Sequence, residues 1–252
     1  MDLGMHRCVA LVTGAASGIG RAVAHALAAE GVRAALADRD AAGVADAAAA
    51  IAARGAEASG FAVDVTDETQ VDAAVAAAAQ RFGGIDLLVS CAGISGPMGT
   101  PLGETTLDDW ERVFAVNVTG GFLVLRAVLP WLRGSAAASV VFIASDSALV
   151  AAGGMAPYCA SKAAVAQFAR AAAVELAPEG IRVNALCPSI VDTPLSRGDL
   201  GVRSFDGVGY PVQSAAEVAD HVAFLCSPRS RPVNAAVIVS DFGYTARSSF
   251  PA

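Results

Sequence analysis

Short apolar runs alternate with longer stretches of helical periodicity along almost the whole chain. The runs at 8–12, 34–37, 60–63, 87–89, 140–143, 183–186 and 237–239 are nearly continuous in hydrophobic residues. Strands covered on both faces look like this, whereas a half-exposed strand alternates. Between the runs, the stretches 18–29, 41–54, 68–82, 107–132, 157–176 and 215–225 read as helices. Asp67, Thr106 and Ser214 stand where N-caps belong. The alternation predicts an α/β fold: a single-domain, doubly wound parallel sheet, Rossmann-like, with seven strands and helices on both faces. No linker divides residues 1–252. The alanine-rich stretches 41–53 and 72–79 read as ordinary solvent-side helices, since alanine is the best helix former.

Two of these helices are apolar nearly all round. One follows Pro157; the other contains Phe114-Ala115-Val116-Asn117-Val118. One face of such a helix can pack on the sheet, and the other needs a partner. A second copy of the chain is the economical one, so a homo-oligomer is predicted. The composition agrees: 55% of residues are hydrophobic and 16% charged, which leaves much surface to be covered. The net charge of −7 argues against a nucleic-acid partner, because phosphate backbones need basic surface. The five cysteines are unpatterned and read as small buried hydrophobes of a reducing compartment. His6, His25 and His221 form no metal-ligand pattern with one another or with the cysteines. The apolar run at 8–13 is too short for a signal peptide, and no apolar stretch free of glycine and charge reaches membrane-spanning length. A cytoplasmic protein with no membrane partner and no metal is the expectation.

The candidate chemistry starts at Tyr158 and Lys162. They lie four apart, on one face of a helix. An ammonium beside a phenol favours phenolate and is expected to lower a pKa that is ordinarily about 10. Such a phenol can give and take a proton near neutrality. An exposed helical pair is the bland alternative. Two features weigh against it: Ser145 ends the strand thirteen residues upstream of Tyr158, and a glycine-rich turn follows the first strand. In that turn Gly14, Ser17, Gly18, Ile19 and Gly20 lie between a strand and a helix N-terminus, where backbone N–H groups can hold a pyrophosphate. Asp38 ends the second strand, placed to accept hydrogen bonds from an adenosine ribose diol and to repel a 2′-phosphate. This favours NAD. Two alternatives stand: Asp38 as a helix cap, and Arg39 as a receiver of a 2′-phosphate.

With these residues in view, the chain resembles the short-chain dehydrogenase/reductase family, in its subfamily of similar length. The resemblance runs from Leu11 to Ala246 and rests on Thr13-Gly14-x-x-x-Gly18-x-Gly20, Asp64, Asn117, Ser145, Tyr158, Lys162 and the segment Pro188 through Thr193. It implies that Tyr158 is the general acid/base, that Lys162 tunes it and binds the nicotinamide ribose, and that Ser145 orients the reacting oxygen. It implies that Asn117 holds a water linking Lys162 to solvent. For the cofactor it implies contacts from Asp64 and Val65 to adenine, from Cys91, Ala92 and Gly93 to ribose, and from Pro188, Val191 and Thr193 to the carboxamide. Ser95, Asp146, Ser147, Met155 and Ser189 are the implied substrate-pocket residues. The implied assembly is a tetramer.

The chain departs from the family pattern at Ser90-Cys91, where two asparagines are usual, and at Ser189, Asp146, Asn234-Ala235 and Asp241-Phe242-Gly243. The substrate loop is expected over 195–210, where Arg197 or Arg203 could meet an anionic substrate. The leading reading is an NAD-dependent oxidoreductase interconverting a secondary alcohol and a ketone. An NADPH-dependent 3-oxoacyl thioester reductase is the alternative enzyme. A nucleotide-sensing protein is the alternative without catalysis, and it would be expected to have lost Tyr158 or Lys162.

Overall fold

A computed structural model describes residues 2–247. In chain order the strands are β1 (Val9–Thr13), β2 (Arg33–Asp38), β3 (Ala58–Ala62), β4 (Leu87–Ser90), β5 (Ser139–Ile143), β6 (Arg182–Pro188), β7 (Val191–Asp192), β8 (Gln213–Ser214) and β9 (Val237–Ser240). The helices are α1 (Gly18–Ala29), α2 (Ala41–Ala52), α3 (Glu68–Phe82), α4 (Leu107–Phe114), α5 (Gly120–Leu132), α6 (Ala156–Leu176), α7 (Pro194–Leu200) and α8 (Ala215–Cys226). Seven strands form one sheet in the order β3-β2-β1-β4-β5-β6-β9, and every pairing is parallel. The Rossmann-like sheet the alternation predicts is therefore present.

Two apolar layers hold helices to the sheet. On one face Val71 of α3, Leu123 and Val128 of α5 and Val165 and Ala169 of α6 pack together. On the other, Val23 and Leu27 of α1, Val44 and Ile51 of α2 and Val218 and Val222 of α8 do the same. Cα partners such as Leu11↔Leu88 and Val12↔Leu36 join β1 to β4, both buried throughout, and to β2, buried at all but its two ends. The outer strands β3 and β9 are only partly buried, because each has a single neighbouring strand. The predicted caps are present: the Asp67, Thr106 and Ser214 side chains accept the N–H groups of Gln70, Asp109 and Glu217.

Three features depart from the sequence pattern. The stretch 107–132 is not one regular helix: a π-helical turn, Ala115–Thr119, joins α4 to α5 and carries Asn117. By length and composition this helical stretch would suffice to cross a membrane. Here Val113, Leu123, Val124, Val128 and Leu132 are spent against the core. The expected loop at 195–210 opens with α7, preceded by a two-residue parallel pairing of β7 with β8. Finally, two positions where the family usually has glycine hold side chains in the left-handed region, Ala235 at φ 57° and Phe242 at φ 55°. Each costs roughly 1–2 kcal/mol relative to an ordinary backbone conformation.

Candidate active site

The strand order reverses between β1 and β4, and both chains leave the sheet there at their carboxyl ends. In open parallel sheets this switch point is where a crevice forms. The Thr13 side chain bridges it: its Oγ1 accepts the N–H groups of Cys91 and Ala92, each at 3.1 Å. The turn after β1 has no room for side chains. A Cβ at Gly20 would lie 2.2 Å from the Gly14 carbonyl oxygen, and one at Gly14 2.9 Å from the Ala92 nitrogen. Ser17 occupies the N-cap of α1 but makes no side-chain hydrogen bond to the first turn. The leading N–H groups of α1 thus keep their capacity for an anion.

Asp38 lies beside this turn. Its Oδ2 accepts the Ala16 N–H at 3.0 Å and its Oδ1 the Asp40 N–H at 3.0 Å. The cap of α2 is Asp40, whose side chain accepts the Gly43 N–H. Asp38 is therefore not the helix cap. It ties the glycine turn to the end of β2, and each carboxylate oxygen keeps a lone pair for a diol. Asp64 turns to Thr66, accepting from its N–H at 2.9 Å and from its hydroxyl at 2.7 Å. Val65 is buried beside it. Together the turn, Asp38 and the Asp64–Val65 segment form a cradle along the ends of β1, β2 and β3, and these residues fit a dinucleotide.

A cavity of about 510 Å³ opens where the other end of that cradle meets β5, β6 and α6. Ser145, Tyr158 and Lys162 line it, with Ile19, Cys91, Gly93, Pro188, Val191 and Thr193. All five expected pocket residues, Ser95, Asp146, Ser147, Met155 and Ser189, line it as well. Gly14, Ser17, Gly18, Gly20, Asp38, Asp64, Val65 and Ala92 do not, which is what an extended ligand requires of residues at its far end. The two regions meet where Thr193 Cγ2 would come within 3.3 Å of a Cβ on Gly18. The Thr193 hydroxyl is already engaged as the N-cap of α7, accepting the Ser196 N–H at 3.2 Å.

Asn117 is buried but lies behind the cavity rather than on its wall. Its Oδ1 accepts the Ile94 N–H at 2.8 Å, and its Nδ2 donates to the Ile94 carbonyl at 3.0 Å and to the Ser161 hydroxyl at 2.9 Å. Both Nδ2 hydrogens and one of the two acceptor positions of Oδ1 are used in fixing the loop after β4 against α6, so the side chain works as a clamp. Ser161 is a partner the sequence reading missed.

The Lys162 ammonium is buried, donates to the Ile143 carbonyl at 3.0 Å and sits 5.7 Å from the Tyr158 ring centroid. Burial pulls its pKa down to about 8. Burial also pushes the Tyr158 phenol up to about 12, with the Asp146 and Asp199 carboxylates adding to the rise and the Ser145 hydroxyl opposing it. For the chain by itself the phenol moves opposite to the expected direction: desolvation is the largest cause, and the opposing one is the Ser145 hydroxyl rather than the Lys162 ammonium. Ser145 Oγ donates to Asp146 Oδ1 at 3.0 Å and accepts the Ser147 N–H at 3.1 Å. The Cys91 thiol, pushed up to about 12 by burial, is inert at neutral pH.

The remaining walls come from residues that carry no motif. Ile94, Met98, Ile190, Leu195, Leu200 and Tyr210 give the cavity an apolar lining. Asp199 of α7 reaches it and accepts from the Ser95 hydroxyl at 2.5 Å. The two loop arginines do not line it: Arg197 pairs with Asp192 at 2.6 Å, and Arg203 lies elsewhere.

Comparison with known proteins shows the family. The family model described as enoyl-(acyl carrier protein) reductase matches residues 14–245. The chain is 40% identical over 246 residues to the 2-(R)-hydroxypropyl-CoM dehydrogenase of Xanthobacter autotrophicus, spanning 94% of this chain and 98% of that protein. It is 40% identical over 242 residues to the cis-4-hydroxycyclohexanecarboxylate dehydrogenase of Sinomonas cyclohexanicum, spanning 94% and 96%. The crystal structure of the 3-ketoacyl-(acyl-carrier-protein) reductase from Brucella melitensis complexed with NADH superposes with a TM-score of 0.88 at 34% identity, over 96% of this chain and 100% of that one. The fold and site thus define a dinucleotide-dependent oxidoreductase. The chain belongs to the short-chain dehydrogenase/reductase family and is an NAD(P)-dependent enzyme acting on CH–OH groups.

Proposed function

We propose that the protein is an NAD-dependent dehydrogenase that interconverts a secondary alcohol and a ketone, with Tyr158 as general acid/base. The observation that carries this is the convergence of Ser145, Tyr158 and Lys162 on one cavity at the end of the dinucleotide cradle. When bound in the cradle, NAD would supply the hydride acceptor and a positive charge. The chain supplies the rest. Tyr158 takes the alcohol proton, and the Ser145 hydroxyl turns from Asp146 Oδ1 to donate to the same oxygen as charge develops there. Lys162 holds the phenolate by charge, and Asn117 is a positioning residue that fixes the loop after β4. Small-molecule alcohols are the substrate class that the named dehydrogenase relatives share. The test is a panel of secondary alcohols assayed for reduction of NAD⁺ and of NADP⁺ in parallel. Turnover with NAD⁺ is expected, and a preference for NADPH with 3-oxoacyl thioesters would favour the alternative reductase.

The pH dependence follows from Tyr158. Phenolate is the base, and burial together with Asp146 and Asp199 raises its pKa. Alcohol oxidation should therefore still be rising above about pH 9, while ketone reduction, which needs the phenol, falls over the same range. Asp146→Asn removes one raising charge and should move the oxidation limb to lower pH. Rates measured with a deuterated alcohol, to keep the chemical step limiting, check this. A limb that stays put or moves upward in the variant would contradict the assignment.

We further propose a homo-oligomer, with α4, α5 and α6 forming the subunit contact. Leu107, Trp110, Phe122, Trp131 and Val174 are exposed on these helices. Phe168 is a poor place to test it, because its ring packs inside the subunit on Phe142 at 5.5 Å. Val174→Glu is cleaner, the residue being 73% exposed. Sedimentation should show an oligomer for the wild type at micromolar concentration and a lighter species for the variant. A wild-type monomer would refute the contact.

A further inference from the structure

The substrate cavity carries an uneven charge. Asp146, after β5, Asp199, on α7, and Asp241, after β9, all line it, on walls contributed by different parts of the chain, and Asp241 is turned to the N–H groups of Gly243 and Thr245. Among the described residues Lys162 is its sole lining cation, and that ammonium is turned to the Ile143 carbonyl. The arginine that α7 does carry, Arg197, is drawn away by Asp192. Ser95 Oγ, 104 positions away in the chain, donates to Asp199 and holds it, while Ser145 Oγ donates to Asp146 until a reacting oxygen takes that proton. Each bond uses part of one carboxylate's accepting capacity and leaves its charge in the cavity. The rest of the lining is largely apolar, including Met98, Ile190 and Leu200. Low-dielectric walls strengthen the field of such charges.

We infer that Asp146 and Asp199 set substrate choice by charge: the cavity admits neutral and cationic secondary alcohols and rejects those bearing an anionic group. This rests on the alcohol dehydrogenase reading above and narrows its substrate class. An anionic group seated beyond the reacting carbon would face like charge with no guanidinium, imidazolium or free ammonium to receive it. Like-charge juxtaposition is among the strongest means of excluding a ligand. An ammonium or hydroxyl in the same place would find acceptors already oriented.

The experiment uses one ring with three charges: cis-4-hydroxycyclohexanecarboxylate, its carboxamide and cis-4-aminocyclohexanol. With saturating NAD⁺, kcat/KM for the carboxamide should exceed that for the carboxylate at least about tenfold, and the amine should equal or exceed the carboxamide. Asp146→Asn and Asp199→Asn keep an oxygen to accept the Ser145 and Ser95 hydroxyls. The double variant should reduce the gap between carboxamide and carboxylate to about threefold or less. A carboxylate as good as the carboxamide, or better than the amine, overturns the inference, as does a gap unchanged in the double variant. The matched 4-oxocyclohexane compounds, titrated into the enzyme–NADH complex by fluorescence, give the binding order independently of turnover. If no alcohol is oxidised with either dinucleotide, the dehydrogenase reading fails, and that binding order still decides whether the cavity rejects anions.

Discussion

Tyr158→Phe is expected to lower kcat by about 10²–10⁴-fold on any alcohol the wild type oxidises, while cofactor affinity stays within a few-fold of wild type. The substitution removes one hydroxyl and keeps the ring, so the packing around α6 is preserved. That hydroxyl is the only phenol on the cavity floor beside Ser145 and Lys162; the cavity's other tyrosines, Tyr210 and Tyr244, are 43% and 59% exposed. Lys162→Ala should behave differently. It removes a buried ammonium bonded to the Ile143 carbonyl and facing the end of the dinucleotide cradle, so rate and cofactor affinity should fall together. The split is measured by single-turnover rates alongside NADH titration. A Tyr158→Phe enzyme keeping more than about a tenth of wild-type activity would remove the phenol from the mechanism.

The parts of this site that could be read from sequence are those fixed by local spacing. The alternation of apolar runs and helical stretches located every strand of the main sheet to within a few residues. The glycine turn, Asp38, Ser145, Tyr158 and Lys162 can be singled out as candidates because each sits at a strand end or on one helical face, where neighbours in sequence determine placement. What escaped depends on contacts between distant segments. The Ser95–Asp199 bond joins residues 104 apart, and nothing in the glycine-flanked stretch around α7 marks a cavity wall. The π turn at Ala115–Thr119 lies within an unbroken apolar periodicity and shows only in the backbone. The Arg197–Asp192 pair cancels a charge that the bare loop sequence offers to a substrate. The direction of the Tyr158 shift is hidden from the sequence for the same reason. Spacing places an ammonium near a phenol, but burial, a property of the whole fold, decides which protonation state is favoured.

Asp38→Ser is expected to reverse, or nearly reverse, the cofactor preference. The Asp38 carboxylate stands at the end of β2 with its oxygens already receiving the Ala16 and Asp40 N–H groups. Those bonds fix its orientation beside the glycine turn and leave lone pairs for the ribose diol. Hydrogen bonds to a charged group are worth about 1.5–3 kcal/mol net. Their loss should weaken NAD by about one to two powers of ten. The same carboxylate would face the 2′-phosphate of NADP at close range, so removing it should also improve NADP. The kcat/KM ratio should then change by more than the lost bonds alone. Arg39, exposed beside it, is free to meet a 2′-phosphate once the acid is gone. Because Asp40 caps α2, the substitution spares the helix start, and a serine hydroxyl can still accept the Ala16 N–H. The measurement is kcat/KM for both dinucleotides in wild type and variant, with thermal unfolding to confirm equal folding. If the wild type already prefers NADP, or the ratio is unchanged in the variant, Asp38 does no more than tie the turn to the strand, and the choice of NAD falls with it.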